Sequence, residues 1–174
     1  GLTTYVNGYN VGIGGSTTKD WIHAYDKLIK PFEADRFVIL VGGNDVNVWG
    51  SSGEETVANL KTLLEMIHAD HPDAEIYYIY TTPSPSAYAD GDYSSAKLRA
   101  LVSGAKTLCE SLDYVQGMDV RKAMTTADEQ NSKEELFADD KVHMNDAGYK
   151  VFSDILYEEI FRGENFGAAE GYKT

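Results

Sequence analysis

RFVILVGGND, residues 36–45, sets five apolar residues in a row, Phe37 to Val41, between Arg36 and a pair of glycines. The run is too short for a helix and has no polar alternation, the pattern of a strand covered on both faces in a parallel sheet. Its neighbours on both sides fit that frame. Upstream, YVNGYNV (5–11) reads as a short strand ended by the glycine-rich GIGGSTT, and TTKDWIHAYDKLIK follows with Trp21, Tyr25 and Leu28 at helical spacing and a cap at Thr17 or Thr18. Downstream, Val57, Leu60, Leu64 and Ile67 form the apolar stripe of a second helix. EIYYIYTTP (75–83) then reads as a strand closed by Pro83.

The alternation continues to the end of the chain. A loop with Pro85, Gly91 and several serines leads to a helix marked by Leu98, Leu101, Ala105, Leu108 and Leu112. YVQGMDV (114–120) is a last short strand, and a final helix shows Tyr149, Phe152, Leu156 and Ile160 on one side. Strand and helix in turn predict an α/β fold, a parallel, flavodoxin-like sheet with helices on both faces, in a single domain spanning residues 1–174. Ligands in such folds bind beyond the carboxyl ends of the strands.

Composition narrows the function classes. With 28 acidic and 15 basic residues, the net charge of -13 opposes binding to nucleic acid or to an anionic membrane surface. No apolar run approaches the roughly 20 residues that span a bilayer. Cys109 is the only cysteine, which excludes an intrachain disulfide and a cysteine metal cluster, and its apolar helical neighbours mark it as a core thiol. Neither compartment nor oligomeric state is legible.

Three polar motifs fall where strands end: GIGGSTT (12–18), GGND (42–45) and FADDKVHMNDAGY (137–149). Each has a plain structural reading. GIGGSTT can be a strand-to-helix turn, Asn44 a turn former, and His143 a surface or core histidine. Each also has a chemical reading. An asparagine amide held at a strand terminus can donate to a developing oxyanion, and a carboxylate three residues before an imidazole can orient it as a base. Metal ligation by Asp139, Asp140, His143 and Asp45 lacks a second nearby histidine, and a dinucleotide site fails because G-x-G-x-x-G is not satisfied.

Taken together, the motifs resemble the SGNH or GDSL hydrolase superfamily. NVGIGGST looks like its second block, which implies that Gly15 donates a backbone N–H to the oxyanion. VGGND looks like the third, with Asn44 as the side-chain donor, and DDKVHMNDAGY like the fifth, with Asp140 and His143 as acid and base; Asp139 is the less suitable acid. The resemblance implies a three-layer α/β/α sandwich, a small acyl (acetyl) ester substrate borne by a small molecule or carbohydrate, and no metal or organic cofactor. Asp45, Trp49 and Tyr88 are candidates for contacting substrate; the rings of Trp49, Tyr88 and Tyr93 can stack on a sugar.

One block has no counterpart. G-D-S, which carries the family's nucleophilic serine, occurs nowhere in the chain. Ser16, Ser84, Ser86, Ser94 and Ser95 are poor substitutes, because Ser16 suits a helix start and the others have no base at a defined spacing. The family's first strand is central, so the expectation is an N-terminally incomplete domain, with the serine on roughly 15 to 30 upstream residues. The competing expectation is a non-catalytic binding protein of the same fold.

Overall fold

The structure, a computed structural model, describes residues 8–88, 93–127 and 131–162, with the backbone alone at 87, 88 and 93–95. Three parallel strands, β1 (Arg36–Ile39), β2 (Glu75–Ile79) and β3 (Val115–Met118), form a sheet in that order. Arg36 lies opposite Glu75 and Ile39 opposite Tyr78 in one ladder; Ile76 pairs with Val115 and Ile79 with Met118 in the other. The helices are α1 (Thr18–Leu28), α2 (Gly43–Asn47), α3 (Gly53–Asp70), α4 (Tyr93–Ser111), α5 (Arg121–Met124) and α6 (Asp146–Ile160).

Alternation along β2 divides the core. Ile76, Tyr78 and Tyr80 pack on one face with Tyr25 of α1, Leu60, Leu64 and Ile67 of α3, and Ala105, Leu108 and Cys109 of α4. Tyr77 and Ile79 point the other way, to Val120, Met124, Leu136 and Ile160, with Phe152 and Leu156 of α6 beside them. Helices therefore cover both faces, the three-layer arrangement expected. Cys109 is a buried free thiol, and burial pushes its pKa up to about 11, so it stays a neutral packing group. Among the described residues no helix is long and apolar enough to cross a membrane.

Three expectations change. The apolar run at 36–41 is covered on one face only: Phe37 and Ile39 join the core, whereas Val38 and Leu40 are 40% and 47% exposed. Among the described residues β1 pairs only with β2, so its second ladder face has no strand against it. An unbroken apolar run reports a strand's need for cover, not what supplies it. Of the strand expected at 5–11, residues 8–11 are irregular and 5–7 lie outside the described residues. In α6, Tyr149 is 54% exposed and the inward side is led by Phe152, Leu156 and Ile160.

Candidate active site

The turn at 13–16 is closed by Ser16 N–H donating to the Ile13 carbonyl at 3.2 Å. Gly15 takes the third position with φ +79°, a conformation that favours glycine over any residue with a side chain. Its N–H donates to no described residue, and the space around its α-carbon is open. Helix α1 begins two residues later, with Thr17 as cap: its side chain accepts from the Asp20 N–H while the Asp20 carboxylate accepts from the Thr17 N–H. Ser16, read as a helix-start residue, buttresses that junction, donating to the Ile13 carbonyl at 2.7 Å and accepting from Trp21 Nε1 at 2.8 Å.

At the end of β1 the chain turns through Gly42, whose φ is +113° and whose missing β-carbon would crowd Leu101 and Thr56 at 3.2 and 3.3 Å. The buried Tyr78 hydroxyl donates to the Val41 carbonyl at 2.8 Å and fixes this corner against β2. Asn44 enters the first turn of α2, half-buried. One of its two amide N–H groups donates to the Ser16 carbonyl at 3.0 Å; the other has no partner among the described residues. The turn that carries Gly15 and the Asn44 side chain are thus joined through the Ser16 carbonyl.

Asp45, expected to contact substrate, is 2% exposed instead. Its two carboxylate oxygens accept from the Thr18 N–H at 3.2 and 3.0 Å, and one also accepts from the Thr18 hydroxyl. Trp49 lies at the surface. It is 71% exposed beside an open cavity of about 460 Å³ whose lining includes Thr17, Lys19, Ser51 and Glu55. The Lys19–Glu55 ion pair, 2.6 Å long, joins α1 to α3 in that lining. Tyr88 closes a short 3-10 turn at Pro85–Tyr88; its side chain lies outside the described residues, as do those of Tyr93, Ser94 and Ser95. Ser84 is buried with its hydroxyl 3.0 Å from that of Ser86.

The histidine loop is a small closed unit. An antiparallel bridge joins Phe137 to Met144, and the Ala138 N–H donates to the His143 carbonyl at 2.8 Å. Inside it, one Asp140 oxygen accepts from the Val142 and His143 N–H groups, each at 2.9 Å, and the other lies 2.7 Å from His143 Nδ1. The His143 ring contact, followed by these backbone donors, holds the Asp140 carboxyl down at about 2, well below the usual carboxylate range. Asp140, not Asp139, is thus the carboxylate that meets the ring. The imidazole is largely exposed, and Nε2 has no hydrogen-bond partner among the described residues.

Two tethers hold this loop in place. The Ser86 N–H donates to the Lys141 carbonyl at 3.1 Å, which docks it on the segment leaving β2. Asn145, read as a helix cap, does cap α6, accepting from Gly148 N–H at 3.0 Å. Its amide also donates to the Glu135 and Phe137 carbonyls at 2.9 and 3.0 Å, which ties the helix start to the 3-10 turn Glu134–Leu136. That second function leaves no trace in local spacing. A β-carbon at Gly43 would lie 3.4 Å from Thr81 Cγ2, which places the Asn44 corner and the post-β2 segment side by side at the carboxyl edge of the sheet. Among the described residues no three His, Cys, Asp or Glu side chains gather as a metal site would require.

Fold and site together define a class: a three-layer parallel α/β protein with an aspartate–histidine pair in one loop and an asparagine amide tied to a glycine turn at the end of β1. The chain belongs to the GDSL-like lipase/acylhydrolase family, whose model matches residues 1–151. Among curated proteins no sequence matches it. Solved structures share the fold. One from Streptococcus pneumonia, named for platelet activating factor, is 22% identical with a TM-score of 0.75, over 88% of this chain and 72% of that one. A carbohydrate esterase family 3 structure from Talaromyces cellulolyticus is 16% identical, TM-score 0.69, over 84% and 67% of the two chains. An acetyl-xylooligosaccharide esterase from Geobacillus Stearmophilus is 17% identical, TM-score 0.71, over 92% and 74%.

Proposed function

We propose that this chain supplies the acid–base pair and two oxyanion donors of a serine ester hydrolase that removes a small acyl group, acetyl foremost, from a small-molecule or carbohydrate alcohol. The observation that carries this reading is the Asp140–His143 pair. A carboxylate fixed by two backbone N–H groups lies 2.7 Å from one ring nitrogen, and the opposite nitrogen, on a largely exposed ring, has no partner among the described residues. Binding alone has no need of so oriented a base. Family membership and the esterases among the structural relatives support the reaction class.

In the proposed cycle a serine upstream of residue 1 attacks the ester carbonyl carbon as His143 Nε2 takes its proton. The carbonyl oxygen becomes an oxyanion that accepts from the Gly15 N–H, from the N–H of Asn44 not engaged by Ser16, and from the serine's own N–H. His143 returns the proton to the departing alcohol. Water, deprotonated by the same nitrogen, then releases the acid and restores the serine. Asp140 stays ionised and holds the ring through Nδ1. Trp49, at the mouth of a cavity with Lys19 and Glu55, is the aromatic surface offered to the alcohol portion.

The test is hydrolysis of p-nitrophenyl acetate and acetylated xylo-oligosaccharides by the full natural protein and its H143A variant. Loss of roughly 100-fold or more in kcat is expected. Wild-type turnover by H143A would sink the proposal, and sugar-ester binding without turnover by the unmutated protein would favour the non-catalytic alternative. Residues 1–174 alone, which contain no G-D-S serine, are expected to be inactive.

A further inference from the structure

We propose that Asp45 is a positioning residue that sets the distance between the two oxyanion donors; the role rests on the ester-hydrolase reading and specifies how that site is held. Gly15 and Asn44 belong to different turns, so the spacing of their N–H groups depends on whatever joins those turns. Two connections do. The outer one is the Asn44 amide on the Ser16 carbonyl, 3.0 Å, made by a donor residue itself. The inner one is Asp45 on Thr18, and it is the more deeply buried, with Asp45 2% and Thr18 0% exposed.

Thr18 is the first residue of α1, and its N–H is among those a helix leaves without an internal acceptor. The Thr17 cap takes the Asp20 N–H, so the Thr18 N–H is left for Asp45. Both carboxylate oxygens receive it, and the Thr18 hydroxyl donates to one of them. A carboxylate so far from water is tolerated only when its lone pairs are occupied in this way. Asp45 adjoins Asn44 in the first turn of α2, and Thr18 lies three residues beyond Gly15. One side chain therefore fixes the backbone of both donors. Asp45 forms part of the floor of the cavity beside Trp49, but both its oxygens are engaged by Thr18, so in this proposal it acts through Gly15 and Asn44.

Sensitivity to this connection follows from the geometry of transition-state binding. Displacing a donor by about 1 Å can cost 100-fold in rate, because the oxyanion is compact and its donors must converge. Asn at position 45 keeps the shape but turns one acceptor into a donor pair facing the Thr18 N–H. Val at position 18 keeps shape and backbone N–H and removes only the hydroxyl.

The experiment compares D45N, T18V and T18S in the full natural protein. With p-nitrophenyl acetate, kcat is expected to fall roughly 10- to 100-fold in D45N and by a smaller factor in T18V, with KM changed less than about threefold. T18S, which restores the hydroxyl, is expected to recover most of what T18V loses. In parallel, the Gly15 backbone and Asn44 side-chain amide signals in ¹H–¹⁵N spectra are expected to move in D45N and T18V and to return in T18S. If D45N does not fold, the T18V and T18S pair decides. Wild-type kcat in T18V with both amide signals unmoved overturns the role, as does a loss that T18S fails to rescue. Should the unmutated protein hydrolyse no ester, the hydrolase reading fails on its own, and the amide signals alone judge whether Asp45 holds the donors.

Discussion

Asp140 accepts from two backbone N–H groups and meets the His143 ring, and the ring contact is the largest of the influences that hold its carboxyl at about 2. A depressed carboxylate pKa means that the native contact is fully present above the unfolded value, near 3.9, and is lost as pH falls through about 2. Loss of activity on acidification above pH 4 is therefore not protonation of Asp140. Carboxyl ¹³C titration checks this: Asp140 is expected to titrate near 2 in the intact protein and nearer its ordinary value in H143A, stopping short of it because the Val142 and residue-143 N–H groups still donate. An unchanged titration in H143A would show that the ring is not the dominant partner. The neighbouring acid separates the two aspartates functionally. D140N is expected to lower kcat roughly 100-fold or more, by removing the charge that steadies the imidazolium, whereas exposed Asp139 replaced by Asn has little effect.

Helix α6 positions the histidine loop from its other end, and Gly148 is the residue that allows it. A β-carbon there would lie 2.1 Å from the Leu136 carbonyl oxygen and 3.0 Å from Met144 Cβ. The helix start is pressed against the 3-10 turn so closely that any side chain must push the two apart, and the Asn145 bonds to Glu135 and Phe137 bridge that same gap. G148A is expected to destabilise the protein by about 1 to 3 kcal/mol, the usual penalty for forcing volume into a packed contact. N145A removes the α6 cap and leaves two carbonyls without their donor, at roughly 1 to 3 kcal/mol. Urea unfolding of each variant gives these values, and a G148A protein as stable as the parent would contradict the close approach. Both substitutions are also expected to lower kcat, because the element they loosen carries His143.

At the scale of the whole molecule, local pattern carried the fold and part of the site. Apolar runs and 3.6-residue stripes placed β2, β3 and all the long helices, because burial on a regular element leaves a period in the sequence. The Asp140–His143 pair was legible for the same reason, a short spacing within one loop. Asp45 was not: its partner Thr18 lies 27 residues away, and a contact between two turns has no period. The same blindness explains β1. Its apolar run was read as a strand covered on both faces; the strand is there, but Val38 and Leu40 stand exposed and its outer ladder groups face no strand among the described residues. An edge of this kind, apolar on its open face and without proline, is a template for pairing with another strand. Residues 1–174 prepared alone are accordingly expected to self-associate, and L40K, which puts a charge on the exposed position, to shift the population towards monomer. The full natural protein, if a further strand pairs with that edge, is expected to remain monomeric at the same concentration and to bury the main-chain amides of Val38 and Leu40. Light scattering after gel filtration measures the first pair of outcomes and hydrogen exchange at those two amides the second. Fast exchange at both in the full protein would mean that the open edge of β1 is a native surface, and that the serine, if there is one, arrives by another route.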